Sequence, residues 1–259
     1  TSPFVLYLSH KSVHANFQPD TPDIGIYKRQ QVNLPEGAHV WSAHTKNQYV
    51  HLNNAPLDES IRRYGEAIHS LDREIGRLLA SLRSMNLADN TIVIYTSDNG
   101  YQWGEHELID KRWAYETSIR VPFVVRLPEN RYGATINSSL VANLDVAPTL
   151  LDAAGVRVPG YMEGGSLLRL LSDEKKNWRE TFFYSYFFEP PYPTPTSFAL
   201  ITERYKLIET NWRGYELYDL WNDPEEKNNL ANDTAFTQTH HKLVKLLTVE
   251  KERSSVSSH

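Results

Sequence analysis

Apolar side chains recur every three or four positions between Asp58 and Leu82, with arginine and glutamate between them. The apolar positions are Ile61, Tyr64, Ile68, Leu71, Ile75, Leu78, Leu79 and Leu82. This spacing predicts a long amphipathic helix with Asp58 as its N-cap. A second helix is predicted over residues 144–155 (LDVAPTLLDAAG), and a last one runs from about Thr237 to Arg253.

Unbroken apolar runs predict buried strands at PFVLYLSH (3–10), TIVIYTS (91–97) and SIRVPFVVRL (118–127). Strands that alternate with helices indicate a mainly parallel sheet sandwiched by helices. After about residue 178, FALITERYKLIE and YELYDLWNDPEE predict a small antiparallel sheet. We therefore predict an α/β domain over 1–177 and a small α+β C-terminal subdomain over 178–259.

The composition sets limits on the function. The chain has 259 residues, of which 40% are apolar, and a net charge of −5 without a basic cluster, so nucleic acid is not an expected partner. No apolar run approaches the roughly 18 residues of a membrane span. The chain contains no cysteine, which excludes disulfides, thiolate zinc sites and cysteine nucleophiles from it but leaves the compartment open.

The strand over 91–97 ends abruptly in Asp98, Asn99 and Gly100. Ligands of open α/β sheets bind beyond the carboxyl ends of the strands, and a carboxylate beside an amide oxygen suits calcium or magnesium. The alternative is a plain turn in which both side chains bond their own backbone. A cluster of cationic and aromatic residues follows within fifteen positions and favours a ligand-binding site over a plain turn. The cluster consists of Trp103, His106, Lys111, Arg112 and Trp113.

Two histidines follow the predicted first strand. His10 and His14 lie where an imidazole could serve as a general acid or donate to an anion. A loop histidine that bonds only the backbone is an equally good interpretation of either residue. No metal-ligand spacing is present at the remaining histidines apart from His106, so we assign no role to His39, His44, His51, His69, His240, His241 and His259.

Several segments, in the same order along the chain, resemble the second half of the type I sulfatases of the alkaline phosphatase superfamily. These are SHKSVHANFQP, TSDNG with GEHELIDKRWAYETSIRVPFVVRLP, NLDVAPTLLDAAGV, and TERYKLIE with ELYDLWNDPEEKNNL. The resemblance implies an alkaline phosphatase-like fold and a calcium-dependent enzyme, with magnesium as a second possible metal. The resemblance is specific for the family but does not identify which sulfate ester is hydrolysed.

The resemblance also implies roles for single residues. Asp98 and Asn99 would be two of the calcium ligands. Lys111 would bind a sulfate oxygen and the bridging oxygen, and His14 would donate to that bridging oxygen on the leaving-group side. His106 would face the substrate, a sulfated small molecule or carbohydrate. From the residue types themselves we further expect Trp103 to bind the sugar, and to form sugar-facing walls with Trp113 and the aromatic, proline-rich region 182–198.

Two features of the family pattern do not occur in this chain. The formylglycine nucleophile arises from Cys or Ser in a C/S-x-P-S-R motif, and neither this motif nor the paired aspartates that complete the metal site occur here. We therefore expect a C-terminal portion, processed or truncated, that is inactive without an N-terminal partner of the same sulfatase. The alternatives are a related phosphodiesterase or phosphonate hydrolase, or a non-catalytic remnant. By family analogy the compartment would be periplasmic, secreted or lysosomal.

Overall fold

The computed structural model describes residues 2–36, 38, 56–172, 178–192 and 194–256. The chain forms two compact units, the first comprising Thr1–Ile92 with Tyr101–Asp110 and the second Val93–Gly100 with Lys111–His259. The domain boundary between residues 177 and 178 stays a prediction from the sequence. Within the described ranges, no helix is both long enough and apolar enough to cross a bilayer.

The predicted long helix is α1, Leu57–Ser84, in the first unit. Its N-cap is Pro56, whose carbonyl accepts the backbone N–H of Ser60 at 3.0 Å, so the prediction that Asp58 caps the helix is wrong. Asp58 lies in the first turn instead and pairs with Arg62 at 2.5 Å. A carboxylate there is still favourable, because it faces the positive end of the helix dipole and an i,i+4 cation.

A short hairpin completes the first unit. Strand β2 (Gln102–Trp103) pairs antiparallel with β3 (Ile109–Asp110). The hairpin packs on α1 and on the loop before it, around the buried side chains of Phe17, Ala38, Leu57 and Ile109. At the turn, Gly104 has φ +119°, and a Cβ there would lie 2.6 Å from Ala38 Cα, so the close approach requires glycine.

The predicted buried strand over residues 3–10 is not formed. Its apolar side chains are exposed, Val5 at 77% and Tyr7 at 86%. A strand needs a neighbour to satisfy its backbone groups, and none of the strands in the described parts of the chain pairs with this segment. The apolar run therefore remains uncovered.

In the second unit, β1 (Val93–Thr96) pairs antiparallel with β4 (Phe123–Arg126), after the short helix α2 (Glu116–Ile119). The pairs formed by the described strands are all antiparallel, so the parallel neighbours expected from the sequence are not among them. With a single neighbouring strand, β1 is only partly covered, and Tyr95 is 39% exposed. The prediction of a fully buried strand at 91–97 was therefore wrong.

The helix predicted over residues 144–155 and the C-terminal elements are formed, whereas a short helix over Leu167–Leu171 was not predicted from the sequence. Helix α3 (Val146–Ala153) is followed by Gly155 at φ +69°, and α4 spans Leu167–Leu171. An antiparallel sheet follows in the order β5 (Thr181–Tyr186), β6 (Ser197–Thr202), β7 (Tyr205–Thr210) and β8 (Gly214–Asp219). Helix α5 (Thr237–Val256) packs its buried leucines, Leu243 and Leu247, on this sheet. The small antiparallel sheet and its terminal helix are thus confirmed.

Candidate functional site

The turn after β1 is held by its own polar groups. Ser97 Oγ donates to the carbonyl oxygen of Asn99 at 3.0 Å, and the backbone N–H of Asn99 donates to Asp98 Oδ1 at 2.9 Å. The Asn99 side-chain amide donates to the carbonyl oxygen of Gly100 at 2.7 Å. Each of these bonds joins a side chain to nearby backbone, as the plain-turn interpretation of the sequence expected. They fix the backbone and leave the Asp98 side chain exposed.

Gly100 joins this turn to the end of α2. Its backbone N–H donates to the carbonyl oxygen of Ser118 at 2.7 Å. A Cβ at position 100 would lie 2.2 Å from the carbonyl oxygen of Thr117, well inside van der Waals contact. Glycine is therefore required at this position by a close approach of two backbones.

Sequence reasoning missed Asn143, which braces the same turn from a distant segment. Its Nδ2 donates to the carbonyl oxygens of Ser97 at 3.0 Å and Asp98 at 3.4 Å, and its Oδ1 accepts from Thr96 Oγ1 at 3.3 Å. Asn143 opens the 3₁₀ turn that leads into α3. One asparagine before a helix reads as a local cap, so nothing in the sequence pointed to this role.

Lys111 is the candidate anion-binding cation of the second unit, and it is half-buried. The residue before it, Asp110, is buried and has a backbone φ of 89°, a conformation that a residue with a side chain rarely adopts. The residue after it, Arg112, places its guanidinium 3.4 Å from the ring centroid of Tyr192. Such strain collects at sites where the surrounding structure holds a side chain in place.

Trp113 does not form the sugar-facing wall that the sequence suggested. It is 2% exposed and its ring lies 6.3 Å from that of Tyr115 in a stacked arrangement. The aromatic run TFFYSYFF (181–188) includes β5, which pairs with β6, while Phe187 and Phe188 after it are 65% and 55% exposed. The end of this aromatic run is therefore its part most open to a ligand.

His14 lies in the first unit, in an exposed loop. Its Nδ1 is 3.4 Å from the carbonyl oxygen of Ala15, and its own carbonyl accepts the N–H of Phe17 at 3.0 Å. Phe17 is buried, with its ring centroid 5.1 Å from that of Trp103. The loop of His14 is therefore packed against the hairpin of β2 and β3.

The same hairpin carries Trp103 and His106. His106 adopts φ 56°, ψ 23° in the connection between the strands, and its side chain is half-buried. The ring of Trp103 lies 4.5 Å from that of Tyr101 and 5.2 Å from that of Tyr64, so much of its surface serves aromatic packing. The substrate-facing role of both residues stays a prediction.

The six residues selected from the sequence divide between the two units. His14, Trp103 and His106 belong to the first unit, and Asp98, Asn99 and Lys111 to the second. The donor chemistry of Asp98 and Asn99 fits calcium, which takes about six to eight oxygen ligands. The described ranges contain no cluster of three or more histidine, aspartate or glutamate side chains able to hold a metal. The two residues fit as part of a coordination shell.

Two family models match the chain. The model described as "Sulfatase" matches residues 1–156, and the model described as "N-sulphoglucosamine sulphohydrolase, C-terminal" matches residues 104–253. Among curated proteins, the chain is 36% identical over 193 residues to an N-acetylglucosamine-6-O-sulfatase of Bacteroides thetaiotaomicron, covering 72% of the chain and 35% of that protein. It is 37% identical over 122 residues to an extracellular sulfatase SULF-1 homolog of Drosophila melanogaster, covering 45% and 11%.

Solved structures give the same result for the fold. One structure, in complex with its substrate D-glucosamine-2-N,6-O-disulfate, aligns with a TM-score of 0.76 and 25% identity, covering 92% of this chain and 63% of that chain. A phosphonate monoester hydrolase of Agrobacterium radiobacter aligns with a TM-score of 0.66 and 25% identity, covering 76% and 42%.

These matches settle the fold class and the family. The chain spans only about a third of the N-acetylglucosamine-6-O-sulfatase that it matches. The alkaline phosphatase-like α/β class predicted from the sequence is confirmed by the structural neighbours. Each family model covers more than half of the chain, and the chain therefore belongs to the sulfatase family.

Proposed function

We propose that this chain is the C-terminal part of a calcium-dependent sulfatase that hydrolyses sulfate esters of a carbohydrate. The observation that carries the proposal is the turn after β1, where the exposed Asp98 follows a strand end that is fixed by Gly100 and Asn143. Family membership and the 36% identical N-acetylglucosamine-6-O-sulfatase support the reaction and the substrate class.

Asp98 and Asn99 would hold the cation through their side-chain oxygens. When bound, calcium would supply positive charge against the sulfate oxygens. The turn bonds keep the two residues at one strand end, so little ordering would be needed on binding. The remaining ligands, and the formylglycine nucleophile, would come from the N-terminal part of the same protein, which we propose as the partner of this chain.

Lys111 and His14 would act on the sulfuryl group itself. The Lys111 ammonium offers three N–H donors to a sulfate oxygen and to the bridging oxygen, where negative charge grows as the S–O bond breaks. His14 would deliver a proton to the leaving alcohol, and its exposed loop position leaves the imidazole accessible. His106 and Trp103 would contact the sugar.

We propose that the protein works outside the cytoplasm, secreted or periplasmic. The extracellular sulfatase homolog of Drosophila melanogaster supports this compartment. The lysosomal location expected by family analogy has no support of this kind.

Phosphonate or phosphodiester hydrolysis is the second candidate. The alignment with the phosphonate monoester hydrolase favours it, because the same anion chemistry would serve a phosphoryl group. The non-catalytic remnant is the third candidate. The coding sequence upstream of Thr1 separates it from the enzymes, because a reading frame with paired aspartates and C/S-x-P-S-R would be expected only for an enzyme.

The experiment that tests the proposal uses the complete protein, with this chain and its N-terminal part. Hydrolysis of N-acetylglucosamine 6-sulfate, D-glucosamine-2-N,6-O-disulfate and a phosphonate monoester is compared at equal concentrations. A higher kcat/KM for a sulfated sugar supports the proposal. A preference for the phosphonate would select the second candidate, and hydrolysis of no ester by a folded protein would select the remnant.

A further inference from the structure

Five consecutive residues after Lys111 are each tied to the C-terminal sheet or its loops. Two of the ties are cation–π contacts of an arginine with an aromatic ring. Arg112 lies over Tyr192, in the loop between β5 and β6, and Arg213, in the turn between β7 and β8, has its guanidinium 4.8 Å from the ring centroid of Trp113. The segment that leaves Lys111 is therefore fixed from its first residue.

Lys206 of β7 makes the next tie, from a fully buried position. Its Nζ donates to the carbonyl oxygen of Ala114 at 3.1 Å. The same Nζ lies 2.6 Å from Glu116 Oε1 and 2.8 Å from Glu226 Oε1. One ammonium group thus contacts a backbone oxygen and two carboxylates, and through Ala114 and Glu116 it ties residues 114–116 to β7.

Glu226 closes the network at the start of α2. Its Oε2 accepts the backbone N–H of Glu116 at 2.6 Å. Burial raises the pKa of the Glu226 carboxyl, and the charge of Lys206 opposes that rise. Beside it, the Tyr115 hydroxyl donates to Glu216 Oε2 at 2.9 Å and accepts from Arg213 Nη1 at 2.9 Å. The first residues of α2 are therefore held by side chains of the C-terminal subdomain.

The other end of α2 contacts the turn that carries the proposed metal ligands Asp98 and Asn99. The carbonyl oxygen of Ser118 accepts the backbone N–H of Gly100, and the carbonyl oxygen of Thr117 leaves no room for a Cβ at position 100. A path of direct contacts leads from Lys206 through Glu116 and α2 to the turn of Asp98 and Asn99. A second path leads from Lys206 through Ala114 back to Lys111.

We propose that Lys206 is a positioning residue of the site. It holds Lys111 and the Asp98–Gly100 turn in a fixed position relative to each other. This inference rests on the proposed function. A buried ion network is weak evidence for added stability, since an apolar group of similar size often serves as well. The Lys206 ammonium instead contributes to the positions of its partners. Only a group with several N–H donors can hold a backbone oxygen and two carboxylates around one point.

The test compares Lys206→Met with Arg204→Met in the complete protein. Arg204 pairs with Asp219 at 2.7 Å, only two residues from Lys206, so Arg204→Met also removes a cation that pairs with a buried carboxylate. At a temperature well below the melting temperatures of both variants, Lys206→Met should lower kcat by about ten- to 100-fold, since small displacements of catalytic groups have effects of that size. Calcium affinity, measured by calorimetry on the metal-free protein, should fall as well, while Arg204→Met should leave kcat and calcium affinity unchanged.

The double variant Lys206→Met/Glu226→Gln separates positioning from folding. Removing the buried carboxylate charge should recover part of the melting temperature lost in Lys206→Met without recovering kcat. Equal effects of Lys206→Met and Arg204→Met on kcat, or recovery of kcat together with the melting temperature, would overturn the inference. If the unaltered complete protein had no sulfatase activity, the proposed function would be refuted instead. Failure of the proposed function is therefore distinguishable from failure of the positioning role of Lys206.

Discussion

The carbonyl oxygen of Ser118 accepts the backbone N–H of Gly100 at 2.7 Å, and this bond connects α2 to the turn that carries Asp98 and Asn99. The two backbones are so close that a Cβ on residue 100 would meet Thr117 O at 2.2 Å. The turn after β1 therefore depends on a contact with a segment that follows Lys111 in the chain.

Substitution of Gly100 by alanine should push the turn away from α2. We expect a loss of about 1–3 kcal/mol in the free energy of unfolding, as for other overpacked sites. Sulfatase activity of the complete protein should fall by more than about tenfold, because the turn carries the proposed metal ligands. Kinetic assays and urea denaturation measure the two effects.

Gly76 provides the matched control for Gly100. It lies in α1, and apart from its chain neighbours and the backbone of its own helix a Cβ at this position would have no atom within 4 Å, so an alanine side chain fits there. Gly76→Ala should keep full activity and raise the free energy of unfolding by about 0.5–1 kcal/mol. An active Gly100→Ala protein of unchanged stability would contradict the role of the close approach.

Removal of the Asp98 carboxylate should weaken calcium binding. Asp98→Ala in the complete protein should lower the calcium affinity by more than about tenfold, because a charged oxygen ligand is lost. Isothermal titration calorimetry on the metal-free protein measures this directly. Glu203→Gln, which removes an exposed carboxylate in the same unit, should have no effect. Unchanged affinity in Asp98→Ala would refute the assignment of this ligand.

Elements that depend on local patterns were predictable from the sequence. Helix α1 follows from its apolar spacing, and the β5–β8 sheet follows from strands that lie close together in the chain. The turn at Asp98–Gly100 was also identifiable, because its residue types limit the backbone.

Features that depend on distant partners were not predictable. The run at residues 3–8 has the composition of a buried strand, but burial needs a neighbouring strand that composition cannot supply. Asn143 braces a turn that lies 45 residues away, and no local pattern records such a contact. Lys206 looks like an ordinary strand lysine until its carboxylate partners are placed around it.

Asn143 should affect the site without contacting substrate. Asn143→Ala removes the two N–H donors that reach Ser97 O and Asp98 O, so the turn should loosen. We expect calcium affinity to fall by several-fold, up to about 100-fold, as for other residues that orient a metal ligand. Asn137→Ala, in an exposed loop of the same unit, is the control and should keep full affinity. Equal affinities of the two variants would contradict the bracing role.

The buried carboxyl of Glu216 should make stability depend on pH. Burial raises its pKa above the ordinary value of 4.5, while the Tyr115 hydroxyl and Arg213 oppose the rise. Between 4.5 and the raised pKa, the unfolded chain has released this proton and the native protein retains it. The free energy of unfolding therefore decreases as pH increases through that window, by at most about 1.4 kcal/mol per pH unit from this group.

Glu216→Gln should remove this contribution, so that the decrease in stability above pH 4.5 becomes shallower. Urea denaturation at several pH values measures the slope. Glu225→Gln removes a carboxyl that is 71% exposed and should leave the slope unchanged. An identical slope in Glu216→Gln and the unaltered protein would show that Glu216 is ionised to the same extent in both states.

The proposed role of His14 as proton donor predicts an effect that depends on the leaving group. A sugar alkoxide is a poor leaving group and needs a proton as the S–O bond breaks, whereas a nitrophenolate leaves without one. His14→Ala should therefore reduce kcat/KM for a sulfated sugar by about 10²–10⁴-fold, the usual contribution of general acid catalysis. The loss on 4-nitrophenyl sulfate should be much smaller.

Two variants show whether this selectivity belongs to His14. His10→Ala removes a second exposed histidine four positions earlier and should change neither substrate's kinetics. Lys111→Ala should impair both substrates, because the sulfate oxygen that its ammonium is proposed to bind is present in each. If His14→Ala lost equal activity on both substrates, the histidine would be acting on the sulfate or on the fold, and its assignment to the leaving-group oxygen would be wrong.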